Sequence, residues 1–345
     1  MAITFKVLGH AKGDNALWVR VDEGDSVSHY LFDCGANTVG ALSMSQTLDI
    51  RHVFFSHFHM DHICGFDEYF RRVYAREEDN VLWGPPGSAE ILHHRLRGYS
   101  WNLVSDCPAR WSLREVQPVR AADSPHALCV LSRDYAAADG FQRCDLAPAQ
   151  FSDAGVLLDA PGHTIESIAL KHHGISLAYL IREKPRKNID MTALSAHGLR
   201  PGPWLQALKD DSQNGDVAVG GTSYSLERLR ELAVRESPGQ SVAYVTDFLL
   251  DAETHERLVA WLSGCDVLVC EGQYLHQDLE LAHRNHHATA TLVGRLARDA
   301  GVGELVLFHL SERYTREEWL ALRDECRAQF ARAKFPADWV AEIEG

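Results

Sequence analysis

The stretch Arg51-His52-Val53-Phe54-Phe55-Ser56-His57-Phe58-His59-Met60-Asp61-His62-Ile63 decides how the rest of the chain is read. Val53-Phe54-Phe55 is an apolar run of the kind a buried strand carries. Directly behind it stand His57, His59, Asp61 and His62, four metal-capable side chains within six residues. From there Ile63, Phe66, Tyr69, Phe70 and Val73 recur at helical spacing. A ligand-rich loop is therefore expected between a strand and a helix, where a rigid scaffold holds it. Imidazole nitrogen and carboxylate oxygen are the donors that dications such as zinc take. A tight turn would direct His57 and His59 to one cation and Asp61 and His62 to a second. Two cations roughly 3.5–4 Å apart serve hydrolysis by activating water and steadying developing charge. The bland alternative is a polar loop that happens to hold three histidines.

Such a centre needs further donors from elsewhere in the chain. His163 stands in Pro161-Gly162-His163-Thr164, after an expected strand over 156–159. Asp247 follows Val242-Ala243-Tyr244-Val245-Thr246, and His309 follows Leu305-Val306-Leu307-Phe308. His286 and His287 precede Ala288-Thr289-Ala290, the start of an amphipathic helix expected over 289–300. Each of these alone reads more readily as structural. Beside the first motif they read as side chains converging on one sheet edge.

The 345 residues carry a formal charge of -14, with 46% hydrophobic and 24% charged residues. That is a globular composition with material for a large core. Broad, non-specific binding to polyanions is disfavoured by the acidic balance, though a local basic patch is not. No apolar run approaches the roughly 18 residues a membrane span needs. The N-terminus reads directly as a strand rather than a leader, so a cytoplasmic protein is expected. The eight cysteines form no CxxC pair and are read as reduced thiols. Cys64 and Cys270 adjoin the metal motifs, where packing is the favoured reading and soft ligation the weaker one.

Strands are expected over 4–8, 16–21, 29–32, 51–56, 81–83, 127–132, 156–159, 167–171, 175–181, 241–246, 266–270 and 304–308. Helices are expected over 63–74, 89–96, 253–262, 289–300 and 316–333. Antiparallel strands come first and βαβ-like units late, which suits two packed sheets with helices outside. Residues 1–345 are read as one domain, with a short projecting arm over 183–209. Within the arm Lys184, Arg186, Lys187, Arg200 and Lys209 outnumber the acidic residues.

The HFHMDH motif, the later PGHT, Thr246-Asp247, and a histidine closing a strand at Phe308-His309 resemble the metallo-β-lactamase superfamily. That resemblance implies an α/β (α+β) fold, a four-layer αββα sandwich. Three further segments are similar to ribonuclease Z, the transfer-RNA 3′-processing endoribonuclease. They are Arg182-Glu183-Lys184-Pro185 with 198–203 following, Cys270-Glu271-Gly272-Gln273-Tyr274 with 286–290, and His309-Leu310-Ser311-Glu312-Arg313-Tyr314. The resemblance runs from Phe5 to Tyr314. It implies a first cation on His57, His59 and His163 and a second on Asp61, His62 and His309, with Asp247 bridging and a shared hydroxide as nucleophile. The cations would be zinc, with manganese and iron also compatible. Asp61 would orient the nucleophile, His287 would protonate the leaving oxygen, and Glu271 would fix the tautomer of His287. Arg313, Lys184, Arg186 and Lys187 would hold substrate phosphates, and the chain would pair as a homodimer. Two departures stand out: Cys270-Glu271-Gly272-Gln273 replaces the family's HEAT, and Phe248 follows Asp247 where the family carries Thr. Tyr99-Ser100-Trp101-Asn102-Leu103 lies outside the family pattern, with core packing favoured over a pocket lining.

The leading expectation is a metal-dependent phosphodiesterase acting on RNA, such as precursor transfer RNA. A metallo-hydrolase of a small molecule (a cyclic nucleotide or other phosphodiester, a lactone or a thioester) is the alternative that the acidic charge favours. A non-catalytic, metal-stabilised binding protein is the third.

Overall fold

The computed structural model describes residues 2–119 and 126–344. It divides into two compact units, Met1–Arg182 with Gln240–Gly345, and Glu183–Gly239.

The first unit holds two sheets. One runs in chain order through Ala2–Gly9, Asn15–Asp22, Val27–Phe32, Ile50–Phe54, Asn80–Gly84, Arg110–Pro118, Leu128–Ala136 and Cys144–Ser152. The other is ordered Ala333–Lys334, Glu304–Phe308, Val267–Glu271, Ser241–Val245, Ile175–Glu183, His163–Lys171 and Val156–Asp159. Side chains alternate across the strands as a period of two demands. Leu17, Val19, Val21, Tyr30, Phe32 and Phe54 face the second sheet, while Ala16, Trp18, Leu31 and Val53 face the other way. Between the sheets Phe32 meets Tyr179 and Tyr244 at ring-centroid distances of 5.4 and 6.0 Å. Phe54 stacks on Phe32 at 5.1 Å, and cutting it to alanine there would cost about 3–5 kcal/mol. Outside the first sheet lie the helices Phe66–Val73 and Ser88–Arg97. Outside the second lie Ala252–Trp261, Ala290–Asp299 and Arg316–Gln329. This is the expected αββα sandwich.

Two strands of the first sheet escaped the sequence reading. Arg110–Pro118 alternates irregularly, and Cys144–Ser152 is an almost wholly exposed edge strand with Pro148, so neither offers a clean apolar stripe. The strand expected over 167–171 begins earlier, at His163, a difference that matters for the site. Trp101 packs against Phe70 and Phe141 at 5.8 and 5.0 Å and donates its indole N–H to Leu96, which is core packing. None of the eight cysteines is in a disulfide. No described helix is long and apolar enough to cross a membrane.

The second unit has its own small core of Leu194, Leu199, Trp204, Leu208, Leu226 and Leu229. It also holds two antiparallel strand pairs, Arg186–Ile189 with Val234–Ser237 and the hairpin Asp216–Val219 with Thr222–Ser225. The expected arm over 183–209 is thus the first part of a longer compact unit. Its basic surplus disappears over 183–239, where eight Lys and Arg meet eight Asp and Glu. Arg186 pairs with Glu183 and Lys187 with Asp211 inside the unit.

Candidate metal centre

Parallel strands supply the frame. Ser241–Val245, Val267–Glu271 and Glu304–Phe308 run side by side, so their C-terminal ends share one edge. Asp247 and His309 follow two of these ends, both with left-handed backbones (φ 50° and 54°). A non-glycine residue there costs about 1–3 kcal/mol, and such strain persists only when the surroundings over-determine it. Phe248 N–H, donating to buried Glu271 at 2.9 Å, is one such constraint.

The first ligand loop is equally tied. Ser56 N–H donates to Asp33 at 2.7 Å, Leu177 N–H to the Ser56 carbonyl at 2.8 Å, and Tyr179 hydroxyl to the Phe55 carbonyl at 2.7 Å. Gly35 passes under the Asp61 carbonyl so closely that a Cβ would stand 2.5 Å from its oxygen. Only glycine lets the two loops approach in this way.

Ligand-capable atoms of His57, His59, His172 and Asp247 lie within 4.8 Å of one another, and so do those of Asp61, His62 and His309. Asp247 joins the groups. Its Oδ2 faces His57 Nε2 and His172 Nε2 at 3.6 and 3.7 Å. Its Oδ1 faces His62 Nε2 and His309 Nε2 at 3.4 and 3.5 Å. His62 and His309 also meet Asp61 Oδ2, each at 3.3 Å. His57 Nε2 and His62 Nε2 are buried and accept no hydrogen bond among the described residues. Buried nitrogens left without partners are costly unless something else binds them. Lone pairs aimed across a shared carboxylate fit two divalent cations.

The expected ligand His163 is not in this cluster. Its Nδ1 meets Glu23 at 2.7 Å and its Nε2 meets Tyr30 hydroxyl at 2.6 Å, so both ring nitrogens are taken. His163 opens the strand His163–Lys171, and the centre lies beyond the strand's other end, about 30 Å along at strand rise. His172, just past that end, stands there instead. The remaining expected ligands, His57, His59, Asp61, His62, Asp247 and His309, are brought together with it.

Surrounding groups orient the imidazoles, as outer partners of metal sites do. His62 Nδ1 meets Asp33 Oδ2 at 2.7 Å. His172 Nδ1 donates to the His286 carbonyl at 3.0 Å. The Gln273 side-chain amide lies 3.0 Å from His309 Nδ1. Asp33 went unread because its partners lie 23, 29 and 211 residues away. His172 had a signal, in that His172-His173-Gly174 forms a turn between two apolar strands.

Glu271 and His287 are brought together as expected, with Glu271 Oε2 2.8 Å from His287 Nδ1. Burial opposes charging His287, yet Glu271, with Asp247 and Asp61, raises the imidazole to about 9. Burial pushes His172 down to about 4 and, with His62 beside it, His57 well below its ordinary range. Burial would raise Asp247, but His309, His62 and His57 hold it well below the usual carboxylate range. Arg313 is exposed, its guanidinium 6.0 and 5.7 Å from the ring centroids of Tyr274 and Tyr314.

Comparison with known proteins places this geometry. The chain is 38% identical to ribonuclease Z of Deinococcus radiodurans, over 97% of this chain and 98% of that one. The chain belongs to the ribonuclease Z family. A second family member, from Streptomyces avermitilis, is 30% identical over 86% of this chain and 81% of its own length. Residues 14–122 also match the family described as "Anti-Pycsar protein Apyc1". Among solved structures, the metallo-β-lactamase fold protein YhfI of Bacillus subtilis has a TM-score of 0.53 at 15% identity, covering 97% of this chain and 96% of that one. Human tRNase Z, short form, has a TM-score of 0.51 at 15% identity, covering 91% and 94%. These two likenesses carry the fold, and the family's membership makes the chain a metal-dependent hydrolase.

Proposed function

We propose that this ribonuclease Z-family chain cleaves a phosphodiester bond in RNA, with precursor transfer RNA bearing a 3′ trailer as substrate. One observation carries the reading: the two oxygens of Asp247 face two separate imidazole groups. His57, His59 and His172 would hold one cation, Asp61, His62 and His309 the other, with Asp247 shared. Imidazole and carboxylate donors suit zinc. Bound there, two divalent cations lower the pKa of water and stabilise charge on the phosphoryl oxygens.

The chain's own residues supply the rest. Each proposed cation has four protein donors without His287, which leaves that side chain for proton transfer. Glu271 on Nδ1 fixes the ring, so Nε2 carries the proton that the leaving oxygen needs. The water gives one proton to bulk solvent, its oxygen bonds to phosphorus as the ester P–O bond breaks, and the leaving alkoxide takes the His287 proton. Asp61 accepts a hydrogen bond from the attacking water, and Arg313 holds a phosphate of the bound strand. Lys184, Arg186 and Lys187 are further candidates for backbone contacts, where Arg186 and Lys187 would exchange Glu183 and Asp211 for phosphate. By resemblance to the family the chain would pair as a homodimer.

The test is cleavage of a precursor transfer RNA with a 3′ trailer, beside bis(p-nitrophenyl) phosphate and a lactone. The expected result is trailer removal at one position and no lactone turnover. Lactone turnover without RNA cleavage would move the site to small-molecule hydrolysis.

A further inference from the structure

The turn His172-His173-Gly174 sets two neighbouring imidazoles edge to face, their centroids 4.8 Å apart, at different depths. His172 is buried among the proposed ligands, while His173 is exposed. The His173 ring lies parallel to His286, with centroids 4.8 Å apart and an interplanar angle of 17°. His172 stands edge-on to it at 4.8 Å, and His59 is tilted against it at 6.2 Å. His173 enters no hydrogen bond or ion pair among the described residues.

The stack is built before any ligand arrives. His286 has a left-handed backbone (φ 54°), a conformation that needs support in a residue with a side chain. The support is reciprocal. His286 Nδ1 donates to the His172 carbonyl, and His172 Nδ1 donates to the His286 carbonyl. Two loops from distant parts of the chain are thereby clamped back to back, with the parallel rings on the solvent side of the clamp. One of those clamping imidazoles is itself a proposed ligand, so the stack has a fixed relation to the metal centre.

We infer that the His173–His286 stack is a platform for the nucleobase next to the scissile phosphate. This rests on the RNA reading above. A strand whose phosphate is held at the centre must turn its neighbouring bases somewhere, and unstacked bases of RNA are received on flat aromatic faces, histidine included. A preordered ring costs the complex little further entropy. Stacking tolerates any base, because every base has a π-face. The platform therefore selects for the presence of a base rather than for its identity, and it separates a nucleic acid strand from a phosphodiester without one.

Two measurements test this on the full-length, metal-loaded protein. The first compares kcat/KM for a trailer-bearing RNA with the same RNA made abasic at the nucleotide on either side of the scissile bond. Wild type should lose about tenfold for one of the two abasic positions, the scale of a single stacked base. That ratio should collapse toward one in His173→Ala and return in His173→Phe, with metal content equal in all three. An equal loss on both substrates in His173→Ala, or an unchanged ratio, overturns the platform. The second measures quenching of a 2-aminopurine trinucleotide on binding. Quenching by wild type that is lost in His173→Ala supports the platform even where no RNA is cleaved, an outcome that would sink the hydrolytic reading alone. Binding without quenching, or no binding, overturns the platform.

Discussion

Asp33 Oδ2 lies 2.7 Å from His62 Nδ1, with both side chains buried. The same oxygen accepts from Ser56 Oγ at 2.7 Å and Tyr244 hydroxyl at 2.9 Å, while Oδ1 accepts Ser56 N–H at 2.7 Å. One carboxylate therefore fixes the loop that starts the His/Asp motif and the tautomer of a proposed ligand within it. The proton held on Nδ1 leaves the Nε2 lone pair directed at Asp61 and Asp247.

Replacing Asp33 by Asn should weaken zinc binding by about 10–100-fold, the usual cost of losing an outer carboxylate. The amide puts a donor against groups that are all donors. Competition with a calibrated chelator measures the change. Zinc affinity equal to wild type would show that the ring is oriented by something else.

His172→Ala and His163→Ala should separate cleanly. The first removes a proposed ligand and should lower the metal content of the purified protein toward one ion per chain. The second should leave both ions and reduce stability by about 1–3 kcal/mol, because half-buried Glu23 and buried Tyr30 lose their shared partner. Elemental analysis and urea unfolding read the two effects. Metal loss in His163→Ala would reverse the assignment.

That pair also marks how far the sequence can be read. Four donors in six residues after an apolar strand leave little room for another meaning, so His57, His59, Asp61 and His62 were legible. Asp247 and His309 were legible because each follows an apolar run, and parallel strands bring such ends to one edge. His163 and His172 stand at opposite ends of one antiparallel strand. Choosing between them requires knowing which way the strand runs, and local patterning does not carry that. The second unit shows a related limit: the basic residues from Lys184 to Lys209 are balanced by acidic ones that fall later in the chain, from Asp210 to Glu236.

His287→Gln should lower phosphodiester hydrolysis by about 10²–10⁴-fold, the range for a removed general acid, with metal content unchanged. Glu271 is the main influence raising His287 against burial. An acid paired with a carboxylate stays protonated to higher pH, so activity should fall on an alkaline limb as His287 loses its proton. In Glu271→Gln the alkaline limb of the pH–rate profile should move to lower pH. A limb that does not move would detach it from His287.

His52 offers a test of stability away from the centre. It is half-buried, stacked near Phe54 and Trp83, and its Nδ1 accepts the Trp83 indole N–H at 3.1 Å. Protonating that nitrogen would cost the hydrogen bond. Burial, reinforced by Arg114, Arg51 and Arg76, pushes the imidazole down to about 3. In the unfolded chain its pKa returns to about 6.5. The folded value is the depressed one, so the contribution to stability is present above about pH 6.5 and is lost as pH falls toward 3. Between pH 6.5 and 5 the loss should be about 1–2 kcal/mol, since one pH unit is worth at most about 1.4 kcal/mol per proton. His52→Phe keeps the stacked ring and removes the titration. The urea midpoint of wild type should therefore drop further than that of the variant when both are taken from pH 7 to 5. Parallel losses in the two proteins would mean that His52 is protonated at the same pH in the folded and unfolded states.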